Sequence, residues 1–195
     1  MQKANNIVGV IRRSFTYLDE ATFCLLFKAL VRPHLEYAAN VWSPHYIQDI
    51  KRIEAVQRRA TKQVAGMKDL SYDQRLRKLK LPTLRFRRLR GDMIEVYKLL
   101  HGHYNISSEE IINLAGDSQT RGHSLKLKKR YARTVRHANV FSNRVVNPWN
   151  SLSESLVSAP TLNAFKNRLD KLWTDHPLRF NWEWDAGIVQ ADHHM

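Results

Sequence analysis

Apolar residues recur every three or four positions along most of this chain, and the pattern is clearest between residues 46 and 65. There Ile47, Ile50, Ile53, Val56, Ala60 and Val64 make one stripe. Such a stripe predicts a helix seated on a core by one face. Lys51, Arg52, Arg58, Arg59 and Lys62 fall on the opposite arc, at about 100° per residue. Gly66 is placed to end the helix. A second long helix is predicted over 83–101, with Phe86, Leu89, Met93, Val96, Tyr97 and Leu100 on one face. Arg85, Arg87, Arg88 and Arg90 crowd its first half, where the macrodipole disfavours cations. That local cost points to an external anion, with solubility as the plainer explanation.

The remaining segments also read mainly as helix. Ile7, Val8, Val10 and Ile11 predict a short helix over 4–15. Thr16 or Asp19 can cap a helix reaching Val31, which Pro33 interrupts or kinks. "HLEYAANVW" reads as a further segment ending at Ser43-Pro44. Asp69 or Ser71 can cap a short helix ahead of Pro82. Residues 102–122 look loop-like around a short helix at 108–114, and "GHSLKLKKRYARTVRH" suits a hairpin or an extended basic arm. Phe141, Val145 and Trp149 have helical spacing, with Pro148 inside it. A final helix carries Leu162, Phe165, Leu169 and Leu172, with Ser158 as cap and Pro160 in the first turn. From His176 onward there is no period, which predicts a frayed tail.

Charge sharpens this picture. Of 195 residues, 32 are Lys or Arg and 18 are Asp or Glu, a net +14. The excess is concentrated in residues 51–100, where 15 basic groups face 5 acidic ones. A focused excess points to a polyanion, with nucleic acid first and an anionic membrane surface second. The bland alternative is a solvated basic face that binds nothing. The single cysteine, Cys24, sits among apolar neighbours and reads as a small core residue. No window approaches the length of a membrane span and no signal peptide is legible. The expected compartment is nuclear or cytoplasmic, neither secreted nor transmembrane.

Signals for chemistry are sparse. There is no Gly-rich phosphate loop, no nucleophile elbow and no HExxH. Two-metal nucleotidyl transfer needs close carboxylates, and no two aspartates are adjacent. Asp69 and Asp73 could share a helix face, although Asp69 is more simply a cap. Asp192, His193 and His194 could hold a stray divalent ion. Tyr37, Trp42 and Tyr46 could stack on bases, but on a largely apolar segment they read as packing anchors, as do Trp149 and Trp173.

A series of motifs in order, rather than any one of them, carries a resemblance. "KANNIVGVIRRSF", "LFKALVRPHLEYAANVWSPHYIQDIKRIEAVQRRATKQVAG", "LSYDQRLRKLKLPTLRFRRLRGDMIEVYKLLHG", "TRGHSLKL", "FSNRVVNPWNSL" and "FKNRLDKLW" together resemble the carboxy-terminal part of LINE-type (non-LTR) retrotransposon reverse transcriptases of the jockey and chicken-repeat groups. The resemblance covers about residues 3–174. It implies a helical thumb and what lies beyond it, which joins the pattern reading of a mainly α fold: a helical thumb-like bundle over 1–102, a linker with a short helix over 103–122, a small C-terminal subdomain of a basic arm or hairpin plus helices over 123–175, and, from the pattern alone, a flexible tail over 176–195. It implies that the thumb grips an RNA and/or DNA template–primer duplex through the basic helices, with Lys51, Arg58, Arg59, Lys62, Arg85, Arg87 and Arg88 as the candidate contacts. The family's catalytic Asp-Asp turn is missing from this sequence, so RNA-directed DNA polymerase chemistry, and the Mg²⁺ it uses, would require a separate palm. No cofactor is expected on this chain itself. Pro148, and Ser153 where the family often has Pro, depart from the pattern. The alternatives are a protein–protein interaction module and a decayed element with no activity of its own.

Overall fold

Ala4, Val8 and Ile11 are buried at helical spacing and define α1, Gln2–Ser14. The structure, a computed structural model, describes residues 1–116 and 122–184 and is mainly helical. The Asp19 side chain accepts from the backbone N–H groups of Ala21 and Thr22, both at 2.9 Å, and so starts α2, Glu20–Leu26. The helix widens into a π segment over Phe27–Val31 and runs directly into α3, Arg32–Glu36. Pro33 therefore does not break it. The wider turn lets the Arg32 N–H reach back to the Phe27 carbonyl, which makes room for a residue that has no donor and a bulky ring.

The helical continuation to Ser43-Pro44 does not form. The helix stops at Glu36, and Ala38 turns the chain with φ of 51°. Side chains take the carbonyls that the helix would have used, one from nearby and one from far along the chain. Trp42 Nε1 donates to the Tyr37 carbonyl at 2.7 Å, and Arg144 donates to those of Ala39 and Asn40.

The stripe of α4, Ile47–Thr61, is buried from Ile50 onward. Ile47 departs from expectation and is 56% exposed, because the first turn projects past the core. A reciprocal capping box between Ser71 and Gln74 opens α5, Tyr72–Leu79. Thr83 caps α6, Leu84–Leu100, by accepting from Phe86 N–H at 3.0 Å.

Two apolar cores meet along α6. The first gathers residues of α1 to α5, among them Phe23, Phe27, Val56 and Leu76, and closes on Leu84. The second gathers Phe86, Met93 and Tyr97 with Trp149, Phe165 and Trp173. The change from one core to the other falls within the first turn of α6, between Leu84 and Phe86. Cys24 packs at the edge of the first core with its thiol toward the Leu79 carbonyl, and burial pushes that thiol up.

The second core is built from short pieces. These are α7 (Ser108–Ile111), an antiparallel pair of β1 (Asn113–Leu114) with β2 (Leu127–Lys128), α8 (Val135–Ala138), α9 (Phe141–Arg144), α10 (Val146–Asn150), α11 (Glu154–Val157) and α12 (Leu162–Leu172). The cap of α12 is Thr161, which accepts from Ala164 N–H, whereas the Ser158 hydroxyl donates to the Glu154 carbonyl and closes α11. Pro148 lies inside α10, whose Trp149 is fully buried. The expected frayed tail is corrected over 176–184. A 3-10 turn at Pro177–Arg179 leads to Trp182, and Leu178 and Trp182 are both buried. Thr83 holds this segment by two bonds, N–H to the Arg179 carbonyl at 2.8 Å and hydroxyl to the Leu178 carbonyl at 2.7 Å. Asp192, His193 and His194 lie outside the described residues.

Candidate nucleic-acid interface

The inner side of α4 is fixed by polar groups that periodicity alone does not reveal. Glu54 is fully buried, and its carboxylate accepts from Leu84 N–H at 3.0 Å and from the Tyr72 hydroxyl at 2.6 Å. A carboxylate at the first N–H of α6 complements both its orphan donors and its dipole. Burial raises the Glu54 carboxyl above its ordinary range, against the lowering effect of those hydrogen bonds. Gln57 donates to the Pro82 carbonyl at 3.0 Å. Arg75, itself buried, donates to the Thr61 hydroxyl and to the Leu70 and Arg58 carbonyls. It thereby ties α5 to the last turn of α4. These three contacts hold the helix at fixed rotation, so its outer face has a defined direction.

On that outer face Lys51, Arg52, Arg59 and Lys62 are exposed and Arg58 is half-buried. They share an arc of about 120°, and Lys51 to Lys62 spans about 16 Å of helix. Arg59 donates to the Asn5 side chain at 2.6 Å, and Arg52 pairs with Asp49 at 3.2 Å. The Arg58 guanidinium stands 5.8 Å from the centre of the Trp182 ring. Lys51 and Lys62 point outward. Arg58, Arg59 and Lys62 lie at the helix C-terminus, where cations suit the dipole, so the helix itself needs no ligand to tolerate them.

The arginines of α6 are placed differently, and the expectation of an external anion there is corrected. The counter-groups belong to the protein. Arg87 forms a two-pronged ion pair with Glu36, and Arg90 forms one with Asp170, whose second contact is 2.7 Å. Arg85 donates to the Trp182 and Trp184 carbonyls at 3.0 and 2.9 Å. Arg88 is only 6% exposed; it donates to the Leu35 carbonyl and feels the charges of Glu54, Glu36 and Asp92. Helix α6 is inserted between the two cores, so a position that looks peripheral on a helical wheel is interior here. Of the seven expected contacts, the structure brings Lys51, Arg58, Arg59 and Lys62 together on one surface and assigns Arg85, Arg87 and Arg88 to internal ties.

The aromatic positions also reverse. Tyr37, Trp42 and Tyr46 are 79%, 42% and 59% exposed, so they are not packing anchors, whereas Trp149 and Trp173 are. The expected basic arm keeps Lys128, Lys129, Arg133 and Arg136 exposed. Arg130 instead caps α7 by donating to the Glu109 and Glu110 carbonyls. Among the described residues, no group of three His, Cys, Asp or Glu is placed to hold a metal ion, and no helix is long and apolar enough to cross a membrane. No family model, curated protein or solved structure matches this chain.

Proposed function

We propose that the outer face of α4 grips the sugar–phosphate backbone of a nucleic-acid duplex, as the thumb of a non-LTR reverse transcriptase would grip its template–primer. The observation that carries this reading is the arc of Lys51, Arg58, Arg59 and Lys62, held at fixed rotation by Glu54, Gln57 and Arg75. A stripe about 16 Å long runs past roughly five phosphates of one strand. Its cations displace condensed counterions whatever the base sequence, so the contact is read by charge and shape. Nucleotidyl transfer would fall to a palm, whose carboxylates would hold Mg²⁺. A nucleic-acid partner would be met in the nucleus or cytoplasm.

The test is the salt dependence of binding to an RNA–DNA duplex. Each phosphate neutralised contributes about 0.9 to the slope of log K against log salt. Replacing Arg58, Arg59 and Lys62 together with Gln should flatten it by roughly two to three units. An unchanged slope removes α4 from the interface.

The interaction-module reading is favoured by a different surface. Leu25 and Leu30, on α2 and the π segment, are 69% and 46% exposed. Exposed leucines are the groups a protein partner would cover. Size-exclusion with and without RNA separates the two, since self-association through leucines is insensitive to salt.

A further inference from the structure

The turn that replaces the expected helix after α3 builds an open groove of about 570 Å³. It is lined by Trp42, Pro44, Tyr46 and Asp49 and by Arg136, Asn139 and Val140 from α8 and the segment after it. The indole of Trp42 is held at its edge. Its one polar atom, Nε1, is already bonded to the Tyr37 carbonyl at 2.7 Å. The buried Arg88 guanidinium lies 5.8 Å from the ring centre, so one face rests on a fixed cation and the other is left to the groove. The Tyr46 ring lies 4.1 Å from that of His45 and is 59% exposed. Two exposed aromatic rings, one of them fixed from behind, are an unusual use of side chains that would gain more by burial.

The groove adjoins the basic arc. Asp49 lines it, and Asp49 is the partner of Arg52 at 3.2 Å, the first cation around the arc. Arg136 supplies an exposed positive charge to the groove lining. Aromatic rings beside the exposed Arg136, next to a phosphate track on α4, have the chemistry of a single-strand site: bases have π faces and their linkages are anionic. The exposed guanidinium of Arg136 suits the phosphate linkage of a strand whose bases lie on the rings.

We propose that this groove takes unpaired nucleobases, stacked on Trp42 and Tyr46, of a single strand emerging from the duplex on α4. The proposal rests on the duplex-grip reading and adds a second subsite with its own specificity, for unpaired over paired nucleotides. Stacking is tolerant of base identity, so the subsite selects strandedness and not sequence.

The experiment compares three probes on the full chain: a blunt RNA–DNA duplex, the same duplex with a single-stranded overhang, and the same overhang built from abasic units. The overhang should tighten binding by about tenfold or more, and the abasic overhang should not, since it supplies phosphates without bases. Trp42→Ala with Tyr46→Ala should abolish the tenfold gain while leaving blunt-duplex affinity unchanged, and Tyr46→Phe should keep the gain. Unchanged blunt-duplex affinity also certifies that the double variant is folded. Equal binding of blunt and overhanging duplexes by the native chain overturns the subsite and leaves the α4 grip standing. Failure to bind any probe overturns both. A gain that survives the double substitution, or a native dimer that the double substitution dissociates, overturns the stacking role and gives the groove to something else.

Discussion

The guanidinium of Arg144 reaches across 52 positions to Asp92 and engages both carboxylate oxygens, at 2.8 and 2.9 Å. The same side chain donates to the Asn40 carbonyl at 2.8 Å. One arginine therefore joins α9, the middle of α6 and the turn that carries Trp42, and both charged groups are largely hidden from water. Burial raises the Asp92 carboxyl, and the Arg144 hydrogen bond and charge oppose that rise. Arg144→Ala leaves a buried carboxylate unpaired and should cost about 3–5 kcal/mol. Removing both charges with Asp92→Asn in the same chain should recover part of the loss. Urea denaturation of the two variants measures this. A cost below about 1 kcal/mol would mean that water already solvates Asp92.

Glu54 gives a pH dependence with a definite sign. Its carboxyl titrates above its ordinary 4.5 in the folded chain because of burial. The folded state therefore holds a proton that the unfolded state has released, between pH 4.5 and the raised value. The contribution is full below the unfolded pKa and is lost as pH rises through the folded one. Native protein should gain stability relative to Glu54→Gln as pH falls from neutral toward 4.5. The measurement is denaturant midpoints of both proteins across that range. A native chain that loses ground on acidification would mean that the Tyr72 and Leu84 hydrogen bonds outweigh desolvation.

Thr83 performs two tasks with one hydroxyl. It accepts from Phe86 N–H to cap α6 and donates to the Leu178 carbonyl to hold the C-terminal segment. Thr83→Val keeps the shape and removes both bonds, so it should cost about 1–2 kcal/mol. It should also raise hydrogen exchange at Leu178 through Trp182 before the rest of the chain. Uniform exchange changes would show that this segment is not separately anchored.

What was legible in the sequence follows from where information is local. The stripe of α4, the Asp19 and Ser71 caps and the long run of α6 depend on neighbours within one helical turn, and periodicity finds those. The stop at Glu36 was not legible, because the donors that end the helix come from Arg144 and from Trp42 folding back. The burial of Arg88 was hidden for the same reason. A helical wheel ranks it as polar surface, and only the insertion of α6 between two cores makes that face interior. The exposed rings of Trp42 and Tyr46 are the sharpest case. Composition argues for burying them, and it is the turn at Ala38 that puts them outside.

That contrast between α4 and α6 can be measured directly. Lys51 and Lys62 are exposed, so Lys51→Gln with Lys62→Gln should lower the salt slope by roughly two units and leave the denaturation midpoint within about 0.5 kcal/mol of native. Arg88→Gln should do the reverse. It removes a buried cation that Glu54, Glu36 and Asp92 all feel, and although Arg87 and Arg144 still pair with Glu36 and Asp92, Glu54 loses its nearby positive charge and about 3 kcal/mol of stability should go. Under conditions where the variant stays folded, its salt slope should equal that of the native chain, because a guanidinium bonded to the Leu35 carbonyl neutralises no phosphate. A flattened slope for Arg88→Gln would mean that α6 swings outward to meet nucleic acid, and the duplex would then lie across both helices and not along α4 alone.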